Sequence, residues 1–292
     1  MSLRIVLAAA AALLLASDAH AAPRPVPLLD AHTHLMIENL TADEEIALLK
    51  KAGVDRVLLM HTDPDALAAL ARKYPGFVIP SLSLARPNVK GLHLDADTGP
   101  LMLRLRQARQ SCGFGEIPGF IFGDNPDFRS IYAAAAATGA PVNIHTDLAR
   151  PENIAALEAA ASAFPKAHLV LAHLGWTAGP DLIGRLLDAH PNLYTDVSIR
   201  FEPPGSLPWR NNGLDLSILT ADRTLQPGWR AVIERHPDRF LFAMDINSFG
   251  PRYTITDELV ATARTALAPL PRRIQQAIGH ANAERLLAGC RP

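Results

Sequence analysis

The segment Pro27-Leu28-Leu29-Asp30-Ala31-His32-Thr33-His34 decides the fold. A short apolar run ends in an alternating polar motif, as expected of a buried strand that delivers functional groups at its carboxyl end. In an extended chain, residues i and i+2 point to the same face, so His32 and His34 can reach one metal ion. An isolated His-x-His is weak evidence, because two polar residues on a loop look the same. Here other strands end alike: Asn143-Ile144-His145, Leu171-Ala172-His173 and Ala243-Met244-Asp245.

Outward from that segment, apolar runs recur at 27–30, 56–60, 77–81, 113–117, 142–145, 169–173, 193–197 and 240–245, with helix-like stretches between them. The runs lack clean alternation, as parallel strands covered by helices should. Eight strand–helix units predict an α/β fold, a single-domain (β/α)8 TIM barrel, whose active site forms at the carboxyl ends of the strands. Thr41 and Glu44 predict a capping box with Gly53 as the helix stop, and Pro64, Pro151 and Pro227 mark first helical turns. Long connections at 84–98 and 201–226 are expected to wall the substrate pocket.

The 292 residues are 49% apolar and 20% charged, with a formal charge of −1. That composition suits one large core and a small-molecule substrate, and argues against a basic nucleic-acid binder. Residues 1–21 read as a signal peptide: Arg4 precedes an apolar run, and Ala19-His20-Ala21 suits cleavage. The run is too short to span a bilayer core of roughly 30 Å comfortably. Residues 22–292 are then the mature barrel, exported to the periplasm with no stable membrane insertion. The two cysteines, Cys112 and Cys290, make no C-x-x-C pair. Any metal must therefore use His and carboxylates, and the two cysteines are expected to meet as a disulfide at the bottom of the barrel.

Four strand-end histidines and one aspartate offer ligands suited to Zn²⁺, with Mn²⁺ or Fe²⁺ as alternatives. With its Asp-Ala-His-Thr-His-Leu start and its ending Asn282-Ala283-Glu284-Arg285-Leu286-Leu287, the chain resembles the amidohydrolase superfamily, in its amidohydrolase-2 branch. The resemblance implies a main metal held by His32, His34, His145 and Asp245. Asp245 would also take the proton of a metal-activated water, whose pKa a divalent ion lowers toward about 7. His173 would polarise the substrate or bind a second ion. Glu116 stands where related two-metal barrels often carry a carbamylated lysine, either as a carboxylate bridging two ions or as a partner of a ligand. The terminal motif is expected to pack the last helix.

His61 ends the second strand, either as a substrate contact or as a histidine bonded to its loop. Arg200, Trp209, Arg210, Asn247 and Arg252 follow strands seven and eight, where guanidinium groups could clamp a carboxylated substrate and Trp209 could cover a cyclic one. His168, His190 and His236 adjoin the opposite face and read as structural. The implied activity is hydrolysis of a small ester, lactone or amide with one or two ions. The alternatives are non-oxidative decarboxylation or a catalytically silent exported barrel that binds metal or ligand.

Overall fold

The computed structural model describes residues 24–35, 40–84, 97–118, 126–203, 215–247 and 254–290. Among them, eight parallel strands follow one another round a single sheet in chain order. They are β1 (Leu29–His34), β2 (Arg56–His61), β3 (Val78–Leu82), β4 (Gly113–Pro118), β5 (Pro141–His145), β6 (His168–Leu171), β7 (Leu193–Asp196) and β8 (Phe240–Leu241). Seven strand pairs are parallel ladders. The ring closes where Ala31 N donates to Phe242 O at 3.0 Å, Asp245 N to His32 O at 2.6 Å and His34 N to Ile246 O at 2.8 Å.

Helices α1 (Ala42–Ala52), α2 (Pro64–Lys73), α3 (Thr98–Gln107), α4 (Pro126–Thr138), α5 (Pro151–Ala163), α6 (Pro180–Ala189), α7 (Pro227–Arg235) and α8 (Thr256–Leu267) cover the outside. α9 (Arg272–Gln276) and α10 (Asn282–Leu286) follow. The local signals operate as expected. Thr41 and Glu44 form the reciprocal capping box, Gly53 ends α1 in the left-handed region at φ 90°, and prolines open α2, α5 and α7.

Three strands depart from the expected bounds by two residues or more, and the other five by one. β1 starts later and contains both His32 and His34. β6 stops at Leu171 because His173 takes φ 53°, which no ladder accommodates, and it sits in a 3-10 turn over Ala172–Gly175. β8 stops at Leu241, short of the expected 245, and Asp245 at φ 52° keeps the chain beyond it out of a regular ladder.

The floor of the barrel is apolar. Leu29, Leu58, Val170 and Leu241 pack there against Ala283, Leu286 and Leu287 at the end of the chain. Burying such leucines contributes about 1.5–3 kcal/mol each. Asn282, wholly buried, donates to Pro237 O at 2.9 Å and Phe240 O at 2.8 Å, so the terminal motif fastens the last helix to β8. Cys112, just before β4, and Cys290 are joined in a disulfide with their Cα atoms 5.3 Å apart. No described helix is long and apolar enough to cross a membrane. The signal-peptide residues 1–21 lie outside the described residues, as do His93, Trp209, Arg210 and Arg252.

Candidate metal centre

The strand ends converge as the barrel requires, and among the described residues the candidate ligands form three overlapping groups: His32, His34 and Glu116; Glu116, His145 and His173; and His32, His173 and Asp196. His32 Nε2 lies 3.2 Å from His34 Nε2. Asp245 Oδ1 stands 3.7 and 3.6 Å from these two nitrogens, and Glu116 Oε2 stands 3.8 and 3.6 Å away. The other oxygen of Glu116 faces a different pair: His145 Nδ1 is 2.6 Å and His173 Nε2 3.0 Å from Oε1. His145 thus belongs with Glu116 and His173, not with His32 and His34 as expected. The physical reason is strand order: β5 sits between β4, which carries Glu116, and β6, and lies across the ring from β1.

Hydrogen bonding assigns the ring atoms. His32 Nδ1 donates to Asp196 Oδ2 at 3.0 Å, leaving Nε2 to face His34. Ser198 Oγ donates its single hydrogen to Asp196 Oδ1, so His173 Nδ1, 2.7 Å away, must donate to Ser198 Oγ. A neutral His173 then presents its Nε2 lone pair to a carboxylate oxygen, and His32 turns its Nε2 to the imidazole of His34. His173 Nε2 and Glu116 Oε1, two acceptors 3.0 Å apart, need a proton or a metal cation between them. A tetrahedral ion with bonds of about 2.0–2.1 Å has ligand–ligand edges of about 3.3–3.4 Å, and the separations from His34 Nε2 to His32, Asp245 and Glu116, 3.2, 3.6 and 3.6 Å, lie near that length. The residues therefore fit divalent metal, with imidazole and carboxylate donors that suit zinc.

The electrostatics agree. Burial opposes a charged His32, but the carboxylates of Asp196, Glu116 and Asp245 outweigh it and raise its pKa to about 10. Burial likewise opposes a charged His145, which Glu116 overcomes, raising its pKa. Burial dominates at His173 and lowers its pKa. Glu116 stays well below the usual carboxylate range: burial would raise it, but His145 and His32 together outweigh that effect. An anionic cage that holds a proton this firmly also favours a divalent ion.

Asp196 is the functional residue that sequence reasoning missed. Fully buried at the end of β7, it also accepts from Asn143 Nδ2 at 2.9 Å and from the His173 backbone N at 3.0 Å. Burial would raise its pKa, but the charge and hydrogen bond of His32 bring it below the ordinary carboxylate value. Its signal was available, since it is a polar strand-end residue like the others. Asp30 sits beneath the motif, accepting from His32 N at 3.1 Å, Thr33 Oγ1 at 2.5 Å and Met244 N at 3.0 Å, and ties β1 to the chain after β8. Burial raises its pKa to about 6 against those bonds.

Among the residues expected to touch substrate, His61 is half-buried and its Nδ1 accepts from Asp63 N at 3.1 Å, which is its loop-bonded reading. Arg200 is a correction. It is 5% exposed, and its guanidinium donates to main-chain carbonyls, including Leu216 O at 2.5 Å and Ala178 O at 3.2 Å. Burial lowers its pKa to about 10. A guanidinium so committed is not a clamp at the mouth. Asn247 donates to Asp245 Oδ1 at 2.8 Å and orients that carboxylate. Trp176, assigned no role from sequence, places its ring 5.2 Å from His145 and 5.6 Å from His173 and walls the second pair.

Solved structures share this architecture at low identity. An uncharacterised TIM-barrel protein from Bordetella bronchiseptica superposes with a TM-score of 0.63 at 17% identity, covering 91% of this chain and 99% of the other. A TatD homologue from Escherichia coli gives 0.59 at 17%, covering 89% and 97%. An amidohydrolase from Burkholderia multivorans, solved with bound zinc, gives 0.54 at 15%, covering 90% and 99%. These likenesses show the barrel. No curated protein matches the chain. A family model described as amidohydrolase, of the amidohydrolase-2 type, matches residues 8–288, nearly the whole sequence, and the chain belongs to that family.

Proposed function

We propose that the protein is an exported, zinc-dependent hydrolase of a small ester, lactone or amide, in which Glu116 would help to hold two ions. One observation carries this reading: the two oxygens of Glu116 face separate histidine pairs, His32 with His34 and His145 with His173. His32, His34 and Asp245 would hold one ion, and His145 and His173 the other. The zinc in the Burkholderia multivorans structure supports the choice of metal.

Divalent ions bound there supply a polarised carbonyl and an acidified water. The protein's own groups do the rest. Asp245, steered by Asn247, accepts the proton of the attacking water and can return it to the leaving group. Asp196 and Ser198 hold His32 and His173 in one ring orientation through the displacement. Trp176 gives the substrate an aromatic wall beside the half-exposed His145. Export is supported by the Cys112–Cys290 link, which persists in oxidising compartments.

Metal analysis of the purified protein should find two equivalents. An ester, lactone and amide panel run in ¹⁸O-labelled water should place label in the product. Release of CO2 without label would replace hydrolysis by decarboxylation. A metal-loaded protein inert across the panel would favour a binding barrel.

A further inference from the structure

The chain after β6 takes positive φ at four successive residues: His173, Leu174, Gly175 and Trp176 have φ of 53°, 54°, 70° and 60°. Only glycine adopts this region freely, so His173, Leu174 and Trp176, which flank Gly175, need outside support. That turn carries His173, which faces Glu116, and Trp176, which walls the same pair. Its support comes from one short segment. Asp196 accepts from the His173 backbone N, Ser198 Oγ accepts from His173 Nδ1, and Arg200 donates to the carbonyls of His173, Trp176 and Ala178. Asp196 closes β7, and the turn that follows it, with Ile199 at φ 64°, brings Ser198 and Arg200 to the same stretch of chain.

We propose that Arg200 is a positioning residue that clamps this left-handed turn and thereby sets His173 and Trp176 against Glu116. The inference rests on the two-ion reading only for its consequence at the second ion. The guanidinium suits the task because its planar fork offers five N–H groups in fixed directions, where an ammonium offers a point charge. Nη1 and Nη2 hold the turn, while Nε donates to Leu216 O at 2.5 Å and anchors the clamp to the segment leading to α7. The Trp229 ring of α7 lies 5.2 Å from the guanidinium carbon and backs the fork. His173 is therefore gripped at its N–H, ring and carbonyl from one segment, which fixes the direction of Nε2.

The test compares the wild type with Arg200→Lys and Arg200→Met. Fluorescence is recorded on metal-free protein, and the Trp176 contribution is taken as the difference from the matching Trp176→Phe protein. Cobalt or zinc titration then counts equivalents and their affinities. In both folded variants the Trp176 emission should move to longer wavelength. The second equivalent should bind at least about tenfold more weakly while the first binds as in the wild type. Arg200→Lys, which keeps charge and stem, should fall short of restoring either readout.

Unmoved emission in a folded variant overturns the proposal, as does equal weakening of both equivalents or wild-type binding of the second. Collapse of both variants by circular dichroism also overturns it, because Arg200 would then support the barrel rather than the turn. If the wild type itself binds fewer than two equivalents, the two-ion reading fails, and the emission of metal-free protein still decides the clamp.

Discussion

Asp196 Oδ2 accepts from His32 Nδ1 at 3.0 Å, with both side chains wholly buried, so a carboxylate on β7 dictates which nitrogen of a β1 histidine turns to the metal centre. Outer partners of this kind typically contribute 10–100-fold in metal affinity. Asp196→Asn should keep the fold and lose roughly that factor, read by competition with a chelator. Wild-type affinity in the variant would mean that His32 is oriented by other contacts.

His32→Ala and His34→Ala should each abolish tight binding of the ion between them, because each removes a donor from a small set. Glu116→Gln should reach further, since its two oxygens face both histidine pairs. Metal content by mass spectrometry should fall from two equivalents to one or fewer in that variant. Two tightly held equivalents in Glu116→Gln would sink its part in holding two ions.

Asp245→Asn retains the shape of the side chain and can still occupy the space 3.6–3.7 Å from the two Nε2 atoms. It cannot accept the proton of water. Turnover at saturating metal should drop on the order of 10²- to 10⁴-fold, the usual range for general-base assistance. Metal content must be measured on the same sample, and near wild-type turnover in a metal-replete variant would assign the proton to another group.

The Cys112–Cys290 disulfide closes a loop across a sequence separation of 178 and joins the start of β4 to the end of the chain. Links of this kind typically contribute about 2–4 kcal/mol. Cys290→Ser, or reduction of the native protein, should lower the thermal midpoint, and titration of unreduced, denatured protein should find no free thiol. Two free thiols would exclude the bond.

Much of this protein was legible because the deciding forces are local or periodic. The capping box of Thr41 and Glu44 spans three residues and forms wherever the helix does. His32 and His34 share a face because side chains alternate along a strand. The polar endings at His145, His173 and Asp245 marked the carboxyl ends of their strands before any coordinates, although β6 and β8 stop short of the last two.

By itself, then, the sequence determined eight strand–helix units, the end of the barrel that carries chemistry and the residue types gathered there. Only the tertiary structure decided which atoms meet. The grouping of His145 with Glu116 and His173 depends on which way their side chains turn across the neighbouring strands β4, β5 and β6, which no spacing along the chain encodes. Asp196 and Arg200 take their roles from partners on other elements: His32 on β1, and the carbonyls of a turn whose left-handed backbone ends β6 early. A polar residue after a strand reads as a substrate contact until the fold shows whether it points to solvent or to an unpaired carbonyl. For Arg200 the buried carbonyls decide, because leaving them without a donor costs more than surrendering one guanidinium to the protein's own main chain.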